Sequence, residues 1–141
     1  MKKSLVHCLS AAGFLLAGLL PGASQTVTGD AVRGERSFQR CFACHSVDPG
    51  EKAKLQGPSL YEVVGRAAGA QAGFDYSDAM KAKAAAGLRW DVATLDRYLA
   101  DPEETVPGTR MSVPPLADAQ ERADIIAYLA RSGRHGPRRV P

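Results

Sequence analysis

The stretch Cys41-Phe42-Ala43-Cys44-His45 decides how this chain is read. Two thiols three positions apart, followed at once by an imidazole, suit a redox disulfide, part of a zinc site or covalent attachment of haem. A thioredoxin-like pair needs a strand before it and a βαβ unit around it. The preceding residues 29–40 read as helix instead, with Asp30 as N-cap and Val32, Phe38 and Cys41 near helical spacing. A zinc site usually takes four ligands, and no cysteine follows Cys44 to complete one. Haem attachment remains, and C-x-x-C-H is its sequence signature. Positions i, i+3 and i+4 share one helical face. Cys41 and Cys44 can then add to the two vinyl groups on one porphyrin edge, and His45 can reach the iron. The bland alternative is a disulfide or two free thiols beside a surface histidine.

Upstream, Met1-Lys2-Lys3, the apolar run from Leu9 to Leu20 and the small residues Pro21-Gly22-Ala23-Ser24 follow the pattern of a secretory leader. The run is shorter than the roughly 20 residues of a membrane span. Residues 1–24 are expected to be cleaved, taking Cys8 and His7 with them. Losing Lys2 and Lys3 takes the formal charge from +3 to +1. Export sets an oxidising context and implies a periplasmic location. A chain of 141 residues suits one compact domain, expected over 25–133. The small charge, with no basic block interleaved with aromatics, argues against a nucleic-acid partner. The basic, proline-rich segment 134–141 reads as a disordered tail, and His135 lies in it, solvated.

Downstream, methionine is the usual sixth ligand in cytochromes c. Met111 lies in the Pro/Gly loop Val106-Pro107-Gly108-Thr109-Arg110, which can lay a thioether over the far haem face. Met80 lies in an alanine-rich helical segment and reads as a core filler. Met111 is therefore favoured. Asp118 followed by Glu121 resembles a capping pattern for a last helix. In that helix Ala123, Ile126, Ala127 and Ala130 share a face, with Ile125 and Leu129 beside them.

These residues resemble class I cytochrome c over nearly the whole mature chain. Gly34, Phe38 and Cys41-x-x-Cys44-His45 match its first helix and attachment motif. Gly57-Pro58-Ser59-Leu60 matches the loop whose proline carbonyl accepts from the ligand imidazole. Gly65-Arg66, Gly73-Phe74-Asp75-Tyr76-Ser77 and Trp90 match the propionate side. Tyr98-Leu99-x-x-Pro102 matches the helix with a tyrosine beside the methionine sulfur. Residues 107–111 match the methionine loop, and residues 121–129 the last helix. The resemblance implies an all-α fold of four to five helices around one haem c, held covalently through Cys41 and Cys44. It implies iron ligands His45 and Met111, with Pro58, Arg66, Tyr76, Trp90 and Tyr98 as further haem contacts. It crosses the last helix over the first, with Gly34 allowing close approach and Phe38 and Tyr128 filling the contact. Helices are expected over about 30–43, 59–64, 77–86, 92–100 and 118–132. The haem faces are expected to be lined by Phe38, Leu60, Leu95, Tyr98, Leu99, Val113, Leu116 and Leu129.

The sequence departs from the family pattern in places. Met80 stands where an asparagine is usual, and Ala84-Ala85-Ala86 looks like a short insertion. Val113 replaces a common aromatic. Glu103-Glu104 occupy positions that commonly carry lysines facing redox partners, and Asp118 lies where lysines are usual, while Arg40 and Arg110 remain positive. With a mature charge near neutral, association with partners is expected to depend weakly on salt. A steep fall in electron-transfer rate between low and high salt would refute this.

The expected activity is reversible one-electron transfer by a monomeric electron carrier, not an enzyme. Its partners are membrane or periplasmic oxidoreductases, and membrane contact is transient or through those partners. A dedicated cytochrome subunit of a periplasmic dehydrogenase or oxidase is the alternative. A peroxidase-type enzyme needs an open sixth site and a distal acid/base, for which no further histidine is placed.

Overall fold

The computed structural model describes residues 27–51 and 53–132. The expected leader 1–24 and tail 134–141 lie outside them. Five α-helices carry the fold: α1 Ala31–Ser37, α2 Asp78–Ala85, α3 Val92–Ala100, α4 Pro102–Thr105 and α5 Ala119–Ser132. Among the described residues there is no strand, only an isolated antiparallel bridge between Ala67 and Arg89.

Each helix start has a local cause. The Asp30 carboxylate accepts from the Val32 and Arg33 amides and opens α1, as expected. Ser77 does the same for α2 through Met80 N, and Asp91 for α3 through Thr94 N. Asp101 ends α3 in an extended conformation and caps α4 by accepting from Glu104 N. Pro102 forces that break, because the residue before a proline is disfavoured in the α region.

Residues 30–43 are helical only in part. After Ser37 the chain tightens into a 3₁₀ turn over Phe38–Arg40, and hydrogen-bonded turns continue to His45. The helix expected over 59–64 does not form. Those residues make turns, with i to i+3 bonds from Val63 N to Leu60 O and from Arg66 N to Val63 O. Glu62 sits at φ +54, in the left-handed region that a helix interior does not tolerate. The carbonyls of Ser59 and Tyr61 are turned to the Arg66 guanidinium instead. Short α4 was not anticipated, although Asp-Pro-Glu-Glu carries the signature of a capped helix start.

The core centres on the crossing of α1 with α5. A Cβ at Gly34 would overlap the Asp124 carbonyl, and one at Gly29 the Ala123 carbonyl. Only glycine lets the two backbones approach this closely. Phe38 and Tyr128 fill the contact with ring centroids 5.2 Å apart, as expected. Phe38 and Ile125 are each 1% exposed, and burying such side chains contributes about 1.5–3 kcal/mol apiece. The buried positions of α5 are Asp124, Ile125, Ile126, Tyr128 and Leu129. Of the face anticipated there, Ile126 is buried and Ala123, Ala127 and Ala130 are half buried.

One carboxylate lies inside this crossing. Asp124 takes two bonds from the Arg33 guanidinium at 2.7 and 2.9 Å. It also accepts from Asp30 N at 2.7 Å and Gln120 Nε2 at 2.9 Å. The Arg33 guanidinium and these other donors outweigh burial and hold the carboxyl at about 2. Asp118 caps α5, its carboxylate accepting from Gln120 N. Glu121 does not complete a capping box; it pairs with Arg40 at 2.7 Å.

Candidate haem site

Cys41, Cys44 and His45 sit on one turn, closed by bonds from Cys44 N and His45 N to Cys41 O at 3.1 and 2.9 Å. Neither thiol is in a disulfide. Cys41 packs against the core, and burial pushes its thiol up. Cys44 lies at the surface side, 3.7 Å from Gln56 Oε1.

The imidazole of His45 is fixed from behind. Its Nδ1–H donates to the Pro58 carbonyl at 2.7 Å. Two backbone bonds, Gly57 N to Cys44 O and Leu60 N to Ser46 O, both 2.8 Å, lace that loop to the cysteine turn. Gly57 lies against the ring, and any Cβ there would overlap it. Burial lowers the imidazole's affinity for a proton, partly opposed by the Pro58 carbonyl. With Nδ1–H committed to Pro58, a neutral ring keeps its Nε2 lone pair for another partner.

Met111 is half buried against the core. Its amide donates to Thr109 Oγ1 at 3.2 Å, and that hydroxyl pairs with Tyr98 OH at 2.8 Å. Burial raises the Tyr98 phenol, and the Thr109 bond partly opposes this. Tyr98 stacks obliquely on Trp90, with centroids 4.9 Å apart. Thr109 was not singled out from the sequence, where it is one hydroxyl in a loop of turn formers.

On the expected propionate side, backbone bonds join Trp90 N to Arg66 O at 2.9 Å and Gly65 N to Trp90 O at 2.8 Å. The Arg66 guanidinium donates to Ser59 O, Tyr61 O and Gln71 Oε1. Burial pulls its pKa down. Gln71 N in turn donates to Tyr76 OH at 3.2 Å. Gln71 therefore bridges Arg66 and Tyr76, a link with no sequence signal. Of the expected lining residues, Phe38, Leu95, Tyr98, Leu99, Leu116 and Leu129 are buried, and Leu60 packs against them. Val113 is half buried outside that cluster. Fully buried Val106 and the largely buried Met80 belong to the core.

This donor set fits a haem. Two unlinked thiols and an oriented neutral imidazole lie on one turn, in a cradle that a Cβ at Gly57 would fill.

The comparisons agree with the geometry. The cytochrome c family model matches residues 31–132. Cytochrome c2 of Rhodomicrobium vannielii is 48% identical over 120 residues, covering 85% of this chain and 91% of that protein. Cytochrome c2 of Rhodoblastus acidophilus is 45% identical over 103 residues, covering 73% and 92%. The solved structure of cytochrome cH from Methylobacterium extorquens superposes with a TM-score of 0.65 at 44% identity, covering 73% of this chain and 99% of that one. Fold and motif together define an all-α haem protein. The chain belongs to the cytochrome c family. It is a single-haem electron carrier, not an enzyme, with one haem c bound covalently through the Cys41–Cys44 pair.

Proposed function

We propose that this chain is a periplasmic electron shuttle whose iron is held between His45 and Met111. The observation that carries this reading is the His45–Pro58 bond, which commits Nδ1 as donor and leaves Nε2 for a metal. Bound haem supplies a reversible one-electron change between Fe(III) and Fe(II). The chain's own groups do the rest. Pro58 fixes the tautomer and raises the basicity of His45. Thr109 and Tyr98 hold the Met111 backbone and set polarity on that side. Arg66, Tyr76 and Trp90 supply the charge and donors that a pair of half-buried carboxylates needs. With His45 and Met111 both holding the iron, no coordination site would be open to a substrate. Export by residues 1–24 accounts for the location.

The positive residues retained near the expected docking face are largely neutralised. Arg40 pairs with Glu121. Arg110 donates to the Asp75 carbonyl and pairs with its carboxylate at 3.8 Å. This supports the weak salt dependence expected of partner association.

The test is optical. Oxidised protein should have a weak red to near-infrared band from sulfur bound to ferric haem. Met111→Ala should abolish it and admit carbon monoxide rapidly to the reduced protein. A band that survives Met111→Ala but vanishes in Met80→Leu would move the ligand to Met80. Recovery of colour only from the cytoplasmic fraction would refute the location.

A further inference from the structure

Glu103 departs from the family in charge, and its carboxylate is not merely solvated. Its Oε1 accepts from the Gly108 amide at 2.9 Å. That bond spans the start of the loop leading to Met111. Thr109 N then donates to Val106 O at 2.9 Å, and Met111 N to Thr109 Oγ1. Val106, 0% exposed, anchors the loop's base. Its amide is tied to Pro102 O at 2.9 Å. Glu103 stands on α4, whose single turn is fixed by the Asp101 cap.

We propose that Glu103 is a positioning residue for Met111, acting through Gly108 to hold the loop closed. This deepens the proposed function and rests on Met111 being the sixth ligand. The chemistry is specific to an acceptor. A carboxylate takes an amide hydrogen bond strongly, whereas a lysine at this position has donors only and cannot accept one. The acid that removes a docking charge thus gains a bond to the ligand loop. Glu104 is the internal control. Its amide is capped by Asp101, and its carboxylate makes no bond to the described residues.

The experiment uses oxidised holoprotein. Imidazole is titrated in as a competitor for the iron, while the red band and thermal unfolding are followed. Glu103→Ala and Glu103→Lys should raise imidazole affinity about threefold to tenfold, the scale of one charge-assisted bond discounted for exposure. Both should weaken the red band. Glu103→Gln, which keeps the acceptor oxygen, should stay within about twofold of wild type. Glu104→Ala and Glu104→Lys should change neither readout. Equal effects at 103 and 104 would make this a generic charge effect and overturn the proposal. So would a fall in unfolding temperature for Glu103→Ala with imidazole affinity unchanged. The parent reading fails separately. A wild-type protein without the red band, or Met111→Ala retaining it, refutes Met111 as ligand. A normal band lost in Met111→Ala but indifferent to Glu103→Ala refutes only the role of Glu103.

Discussion

The α1–α5 crossing and the two loops of the candidate site are built on different physics. The crossing is two helices in backbone contact, with large rings and aliphatic chains buried between them and one carboxylate satisfied four times over. The loops at 57–60 and 106–111 carry little regular structure. They are held by scattered hydrogen bonds, among them His45 to Pro58 O, Thr109 with Tyr98 and Met111, and Gly108 N to Glu103. Such bonds contribute about 0.5–1.5 kcal/mol net each, against about 1.5–3 kcal/mol for one buried aromatic. The crossing is held mainly by packing, while the loops depend on what they close upon.

Removing the covalent anchor should break this contrast most severely. Cys41→Ser with Cys44→Ser should yield protein without covalent haem and with most of its helical signal lost. The cost approaches the whole folding free energy of a small domain, about 5–15 kcal/mol. Absorbance, mass and circular dichroism of the purified chain decide it. A well-folded colourless double mutant would mean that the crossing alone suffices.

Next, Gly34→Val forces a side chain into the Asp124 backbone and should cost roughly 3 kcal/mol in denaturant unfolding. The exposed pair removed by Arg40→Ala should cost under about 1 kcal/mol. Equal costs would show that the close approach is not what holds the crossing.

Asp124 sharpens the same contrast through pH. Its folded pKa of about 2 lies below the ordinary 3.8. Its contribution, on the order of 2 kcal/mol, is therefore complete above about pH 4 and lost as pH falls toward 2. Asp124→Asn should lower stability at pH 7 by about that amount and flatten the acid limb of the stability curve. An unchanged acid limb would remove Asp124 from the account.

Thr109→Val should have a smaller effect than Asp124→Asn. It should cost about 1 kcal/mol and weaken the red band without disturbing α1 or α5. A loss of global stability comparable to Gly34→Val would show that the loop and the crossing are one unit.

What could be read from residues alone follows the same division. The meeting of Gly34, Phe38 and Tyr128 was expected from the family resemblance, and the Asp30 cap from the residues themselves. The Arg33–Asp124 pair was not. A charged residue on a helix reads as solvated, and nothing local says that its partner lies across a crossing. A helix was expected over about 59–64. Tertiary demand won there: Arg66 takes the Ser59 and Tyr61 carbonyls, and Glu62 turns left-handed. In the site, Cys41, Cys44, His45 and Pro58 were legible because motif and loop fix them. The bonds made by Thr109, Gln71 and Glu103 were not, since they join segments whose relative placement only the fold determines.

The segment after Met111 is pinned as firmly as the one before it. Leu116 N donates to Leu99 O at 3.0 Å, and the Arg122 guanidinium takes the Leu116 and Ala117 carbonyls while pairing with Asp96. Residues 107–115, with Pro107, Pro114 and Pro115 among them, thus form a short span clamped at both abutments. Its excursions stay local, so hydrogen exchange there should outrun that of α5 by orders of magnitude.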